Sequence, residues 1–166
     1  MIDQTHPVAA QLIDTAIESA TQLYQLLTQE SELLKAKQHK QSYKKLDALT
    51  LQKNVVIEKL NTFSRQVEQI LLSAELTKED GMEKYFAAAQ TAGVDTSVSH
   101  KHWQQFTQLT MQCRTLNESN GACLYMLNKQ SVRILDVLKG KDTSISTYTK
   151  NGHTKSSTFS TPIISV

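Results

Sequence analysis

Two stretches of the chain repeat apolar residues at spacings that alternate between three and four, the pattern of helices that pack along one seam. The first seam runs Ile13, Ala16, Ala20, Leu23, Leu27, Glu30 and Leu34, and the second runs Leu46, Leu49, Lys53, Val56, Leu60, Phe63, Val67 and Ile70. From Val8 to Asp80 the chain contains neither glycine nor proline, so nothing in the sequence breaks a helix there. The pattern predicts two long helices, over about 8–38 and 43–74.

Each seam carries one charged residue, Glu30 in the first and Lys53 in the second. If the two helices form an antiparallel hairpin that bends near residues 40–43, one register places Glu30 opposite Lys53 and Ala20 opposite Phe63. A lone charge in a packed seam is costly, whereas an ion pair is tolerated and can fix the register. We therefore predict a partly buried Glu30–Lys53 ion pair. Two alternatives stay open: both side chains reach solvent independently, or one uninterrupted helix replaces the hairpin.

A short helix over 82–92 is predicted between Asp80-Gly81 and Gly93, followed by a third long helix over about 100–139. Ser97 or Ser99 is expected to cap its beginning. Its seam runs Phe106, Leu109, Cys113, Leu116, Asn120, Cys123 or Leu124, Leu127, Ser131, Ile134 or Leu135, and Leu138. Gly121 interrupts this helix at a cost of about 1 kcal/mol, which fits a close helix approach, a kink or a poor local choice.

Sparser apolar stripes lie beside two of the seams, at Ile17 and Tyr24 in the first helix and at Met111, Tyr125 and Val132 in the third. Such stripes indicate either a third helix packed on the hairpin or a groove kept for a partner. Residues 140–166 differ in composition, because Ser and Thr account for 12 of the 26 residues from Lys141 onward. The prediction is an all-α, elongated, coiled-coil-like bundle over 1–139 with a disordered tail that holds a docking segment.

Composition and charge exclude several classes of fold and of function. The scarcity of glycine and proline excludes all-β and α/β folds, whose many turns need both residues. The net charge of +2 argues against nucleic-acid binding, although Lys35, Lys37, Lys40, Lys44 and Lys45 form one basic cluster. No apolar run is long enough for stable membrane insertion and no secretory signal is evident, so we expect a cytoplasmic protein with two reduced cysteines.

Catalytic chemistry is not evident. The five histidines have no cysteine or carboxylate at metal-site spacing, and there is no glycine-rich phosphate loop. The sequence therefore predicts a non-enzyme without cofactors that binds another protein through its helices or its tail.

The third helix and the tail resemble the FlgN family of flagellar type III export chaperones. Trp103, Leu109, Leu116-Asn117, Asn120-Gly121, Leu135 and Leu138 are similar to a family pattern of Trp, Leu, Leu-Asn-x-x-Asn-Gly and Leu-x-x-Leu. Tyr148, Gly152 and Thr154 match a Tyr-x-x-x-Gly-x-Thr tail, in which the spacer is commonly Gly-Ala-Asp rather than the Thr-Lys-Asn of this chain. The hairpin and the closing Ile163-Ile164-Ser165-Val166 are also similar.

The resemblance implies a cytosolic chaperone that captures the terminal helical segment of hook–filament junction proteins and delivers it to the export gate. Cargo binding is implied for the third helix, at Trp103, Phe106, Leu109, Leu116, Asn120, Leu127, Leu135 and Leu138. Docking on the cytosolic domain of the gate is implied for Tyr148, Gly152 and Thr154. A self-associating coiled-coil adaptor and a helical regulator that uses the basic cluster remain alternatives, and the choice between monomer and homodimer stays open.

Overall fold

The computed structural model describes the backbone of residues 2–36, 40–139, 147–148 and 154–155, and the side chains of 4–36 and 43–139. Four helices make up nearly all of it: α1 (Ile2–Lys35), α2 (Lys40–Ser73), α3 (Gly81–Thr91) and α4 (Ser97–Leu138). Two short strands, β1 (Thr147–Tyr148) and β2 (Thr154–Lys155), follow. The all-α fold with three long helices and one short helix is as predicted. The rest of the predicted tail lies outside the described residues.

Helices α1 and α2 form an antiparallel hairpin, the most extensive helix pair in the structure. Helix α1 ends at Lys35 and α2 begins at Lys40, each about three residues before the predicted bounds of 38 and 43. The packing of α1 against α2 rules out the alternative of one uninterrupted helix. Near the open end of the hairpin, α1 begins at Ile2 and continues through Pro7. Pro7 lies beyond the first four residues of α1, whose N–H groups have no intrahelical partner, so it removes one backbone hydrogen bond, the one to the carbonyl of residue 3.

A left-handed residue, Glu75, ends the hairpin at φ 59°. The Leu76 N–H donates back to the Leu71 carbonyl at 2.9 Å, which closes the last turn of α2. The Asp80 carboxylate then accepts hydrogen bonds from the Thr77 backbone N–H and hydroxyl, both at 2.8 Å. The turn so formed leads into α3 through Gly81, whose φ of 66° suits glycine.

The main core lies where α3 packs against the open end of the hairpin. Its buried residues come from three helices: Ala9, Ile13 and Ala16 of α1, Phe63, Ile70 and Leu71 of α2, and Met82, Tyr85 and Phe86 of α3. Trp103 and Phe106 of α4 pack against this core while staying half-buried. A smaller cluster of Leu26, Leu49 and Val56 continues the hairpin seam toward the bend.

The chain divides into two compact units, Met1–Gly121 and Ala122–Val166. The first contains the hairpin, α3 and the first 25 residues of α4. In the second, β1 and β2 pair antiparallel, with Thr147 opposite Lys155 and Tyr148 opposite Thr154.

Candidate functional site

One polar residue from each long helix meets in the interior of the first unit. Lys53 Nζ lies 2.6 Å from Glu30 Oε1, and Asn120 Nδ2 donates to Glu30 Oε2 at 3.0 Å and to the Leu27 carbonyl at 2.9 Å. The side chains of Glu30 and Lys53 are 4% and 13% exposed. The ion pair that the hairpin register predicts is therefore present, and α4 completes it. We call Glu30, Lys53 and Asn120 the polar triad.

The polar triad fixes how three helices align, because each of its members has a partner on another helix. A buried carboxylate without a counter-charge is strongly destabilising, and sliding α1 against α2 by one turn would leave Glu30 in that condition. Sliding α4 would remove the hydrogen bond that Asn120 donates to the second carboxylate oxygen. Sequence reasoning missed the Asn120–Glu30 contact. A signal was available: Asn120 is the polar seam residue of α4 nearest in level to the charged seam positions of the hairpin.

Helix α4 runs parallel to α1 in a constant register. Within the first unit, the three buried side chains of α4 each contact the α1 residue whose number is 93 lower: Ser99 with His6, Cys113 with the Ala20 carbonyl, and Asn120 with the Leu27 carbonyl. All three are small or polar. Contact between α1 and α4 is therefore directed by hydrogen bonds more than by large apolar side chains.

The beginning of α4 is held most firmly. Phe106 packs edge-on against Phe63 with ring centroids 5.1 Å apart, and Trp103 lies 6.5 Å from the same ring. His100 Nε2 lies 2.8 Å from Glu83 of α3, and His102 Nδ1 lies 2.6 Å from Asp14 of α1. Sequence reasoning gave the histidines no role, and here they join α4 to its neighbours.

The residues predicted to bind cargo fall into three groups. Asn120 is buried, while Trp103, Phe106, Leu109, Leu116 and Leu127 are half-buried. Leu135 and Leu138 are exposed, at 51% and 77%. Of the predicted set, only these last two present an open apolar surface.

The final part of α4 exposes far more apolar surface than the prediction named. Eight large apolar side chains between residues 124 and 138 are exposed: Leu124, Tyr125, Met126, Val132, Ile134, Leu135, Val137 and Leu138. Soluble monomers rarely expose contiguous apolar patches of this kind, and such patches mark interaction sites. We call these residues the apolar run of α4.

The predicted gate-docking motif is only partly described. Tyr148 and Thr154 face each other in the β1–β2 pair, whereas Gly152 lies outside the described residues. The backbone therefore brings the two ends of the motif together.

Gly121 has open space around it, and neither cysteine forms a disulfide. A Cβ placed on Gly121 would meet no atom of the described residues within 4 Å, so close helix approach does not explain this glycine. Cys113 is buried, which raises the pKa of its thiol, while Cys123 is half-buried. Both are free thiols.

In the described part of the chain, no three His, Cys, Asp or Glu side chains gather as a metal-binding group. None of the helices described there combines the length and apolar character of a membrane span.

Comparisons with known proteins support one family. Neither curated proteins nor solved structures gave a match. The sequence model of the FlgN protein family matches residues 8–156, which include all of the hairpin except residues 2–7, all of α3 and α4, and both strands. The chain belongs to the FlgN family.

Proposed function

We propose that this protein is a flagellar export chaperone that binds the terminal helical segment of hook–filament junction proteins, prevents their premature assembly and delivers them to the type III export gate. Membership of the FlgN family supports the chaperone role. The observation that carries cargo binding is the apolar run of α4, whose eight large side chains are 41% to 77% exposed.

The apolar run suits helix-to-helix recognition. Apolar positions 124, 127, 134, 135 and 138 recur at helical spacing, so an amphipathic cargo helix can lay its own apolar stripe along them. Covering both surfaces removes apolar area from water at about 25 cal/mol per Å². A cargo segment bound in this way would lose the surface through which it self-associates.

Delivery to the gate is assigned to the tail. Tyr148 and Thr154, paired across β1 and β2, match the family's tail motif and would present an aromatic side chain to the cytosolic domain of the gate. Ordering a tail on binding offsets part of the contact free energy, which suits a weak and reversible attachment.

Calorimetric titration with the terminal segments of both junction proteins tests the cargo role. We expect one segment to bind and the double variant Leu135→Glu/Leu138→Glu to weaken that binding at least tenfold, which corresponds to about 1.4 kcal/mol. Leu72→Glu is the matched control, because Leu72 is 65% exposed and belongs to α2. Absence of binding to every segment would refute the cargo role.

Gate delivery is tested by a reciprocal pair of variants. Tyr148→Ala should weaken attachment to the purified gate domain and leave cargo affinity unchanged, whereas Leu135→Glu/Leu138→Glu should do the opposite. Loss of both activities in Tyr148→Ala would contradict separate surfaces.

The same apolar run favours a second candidate, a coiled-coil adaptor that self-associates through α4. Sedimentation equilibrium separates the two functions. A chaperone should bind cargo as a defined complex, whereas an adaptor should form a stable oligomer and ignore the junction-protein segments.

A further inference from the structure

An open cleft lies between α2 and α4 in the first unit, with α1 as its floor. Its volume is about 530 Å³. Ala20, Leu23 and Leu27 form the floor, and the walls consist of Thr50, Lys53, Asn54, Ile57 and Leu60 of α2 and Thr110, Cys113, Arg114 and Asn117 of α4.

The cleft exists because α4 is held to the hairpin by small side chains at this level. Between Phe106 and the end of the first unit, Cys113 and Asn120 are the buried residues of α4. Ala20, which Cys113 contacts, is small as well. The α4 residues that line the cleft, Thr110, Cys113, Arg114 and Asn117, include no large apolar side chain.

The lining has the shape and spacing of a helix-binding groove. Wall residues recur at 50, 53, 54, 57 and 60 on α2 and at 110, 113, 114 and 117 on α4, spacings of three and four on both sides. The α2 wall spans about 15 Å at 1.5 Å per residue, the length of roughly three helical turns. A compact small ligand would not need two parallel walls that repeat in this way.

The charged residues that line the cleft favour a partner helix that carries a carboxylate. The lining includes two basic residues, Lys53 and Arg114, and no acidic one. Lys53 is engaged by Glu30, but Arg114 is 82% exposed and pairs with Glu118 on the outer surface. Exposed pairs of this kind contribute little, so Arg114 can turn to a carboxylate on a bound helix.

We propose that this cleft binds one amphipathic helix of the cargo, with its apolar stripe on Leu23, Ile57 and Leu60 and a carboxylate beside Arg114. The cleft is a second cargo surface, distinct from the apolar run of α4, and its assignment to cargo rests on the proposed chaperone function. The partner helix occupies the position that a fourth helix would take in a bundle.

Cys113 provides a built-in reporter of occupancy, because its side chain lines the cleft. In the variant Cys123→Ser it is the only thiol, since the chain has two cysteines. We expect bound cargo segment to slow the reaction of Cys113 with a disulfide reagent at least fivefold in the full-length chain. Val55→Glu in the same background should leave this protection unchanged, because Val55 is exposed on α2 and does not line the cleft.

Affinity is measured in parallel with Ile57→Glu and its matched control Val55→Glu. Both residues are exposed apolar positions on α2, at 40% and 60%, but only Ile57 lines the cleft. Ile57→Glu should weaken cargo binding at least tenfold and Val55→Glu less than twofold. Arg114→Glu should weaken it as well, and adding a lysine in place of the cargo's flanking carboxylate should restore part of the loss.

The two proposals fail in different ways. If cargo binds with full affinity to Ile57→Glu and leaves the Cys113 reaction rate unchanged, the cleft proposal is overturned and the chaperone function stands. If no junction-protein segment binds the unmodified chain, both are overturned.

Discussion

A carboxylate buried as deeply as Glu30 is tolerated only because two neighbours satisfy it. Lys53 supplies the counter-charge to one oxygen and Asn120 donates a hydrogen bond to the other. Desolvating two charges costs free energy that their attraction recovers only with good geometry and additional hydrogen bonds. The polar triad is therefore better understood as a constraint on register than as a large source of stability.

Removing one member of the polar triad should be more costly than replacing the charged pair. We expect Lys53→Met to lower the free energy of unfolding by about 3 kcal/mol, because it leaves the buried Glu30 carboxylate without a counter-charge. Glu30→Gln should cost less, since the stem of Lys53, 13% exposed, can carry its ammonium group to solvent.

Urea unfolding of Glu30→Leu, of Lys53→Leu and of the double variant Glu30→Leu/Lys53→Leu measures this coupling. The double variant should lose less stability than the sum of Glu30→Leu and Lys53→Leu alone. Additive losses would show that the two side chains do not interact.

Acid sensitivity should be concentrated at the turn before α3. A hydrogen bond from Lys84, with others from Thr77, lowers the pKa of Asp80 from 3.8 to about 2. Because the folded-state pKa is the lower one, the Asp80 carboxylate stabilises the fold fully above about pH 4, and this contribution disappears as the pH falls toward 2.

Comparison of the chain with Asp80→Asn at pH 7, 4 and 2.5 tests this dependence. The stability difference between them should be largest at pH 7 and should fall to about a third of that value at pH 2.5. Lys84→Met, which removes the largest cause of the pKa shift, should retain part of the pH dependence. A difference that does not change with pH would contradict the assignment.

A contact between two single residues could be predicted from the sequence only where each residue interrupts an otherwise apolar seam. Glu30 and Lys53 could be paired because each is the one charge in its seam. The contacts of His6, His100 and His102 could not, since they depend on where α3 and α4 pack, and a histidine in a polar stretch carries no periodic signal. The cleft could not be predicted from the sequence either, because it forms where the lining residues of α4 include no large apolar side chain.

At the level of the helices, Gly121 lowers the stability of α4, and no close contact requires a glycine there. Glycine inside a helix is less favourable than alanine by about 1 kcal/mol, and a Cβ at Gly121 meets no described atom within 4 Å. We expect Gly121→Ala to raise the free energy of unfolding by up to about 1 kcal/mol, as measured by urea denaturation.

Gly93→Ala is the control for that substitution. Gly93 has equal space around it but a φ of 83°, which L-amino acids rarely adopt. Alanine there should destabilise the protein by about 1 kcal/mol. A loss of stability in Gly121→Ala would indicate that residue 121 does not stay helical in solution.

The apolar periodicity predicted which segments are helical, but it did not predict where each helix begins and ends. α1 begins at Ile2 rather than near residue 8, since packing of Ala9 and the Thr5–Tyr85 hydroxyl contact at 3.1 Å extend it. α4 begins at Ser97, before the predicted start near residue 100. Thr96, rather than the predicted Ser97 or Ser99, precedes its first turn, and the Thr96 carbonyl accepts a hydrogen bond from the His100 N–H. Helix ends depend on tertiary contacts that a seam pattern does not encode.

For the whole molecule, the apolar core clusters and the apolar run of α4 consist of different residues. Both apolar core clusters consist of residues no later than Phe106. The apolar run of α4 belongs to the second unit and stays exposed. Exposed apolar surface of this kind is typical of interaction sites, which is why we propose it for cargo binding.

The triple variant Ile134→Glu/Val137→Glu/Leu138→Glu separates the two. These positions are 60%, 61% and 77% exposed, so the substitutions should change the free energy of unfolding of the first unit by less than about 0.5 kcal/mol each. The same variant should abolish cargo capture by the apolar run and any concentration-dependent self-association of the purified chain.

Phe86→Ala should give the opposite result. Phe86 is 1% exposed in the main core, so its truncation should cost about 3 to 5 kcal/mol while self-association stays as in the unmodified chain. Thermal unfolding and sedimentation velocity on both variants complete the comparison. If the triple variant unfolds as readily as Phe86→Ala, the apolar run of α4 is part of the folded core in solution and cannot serve as a free surface for cargo.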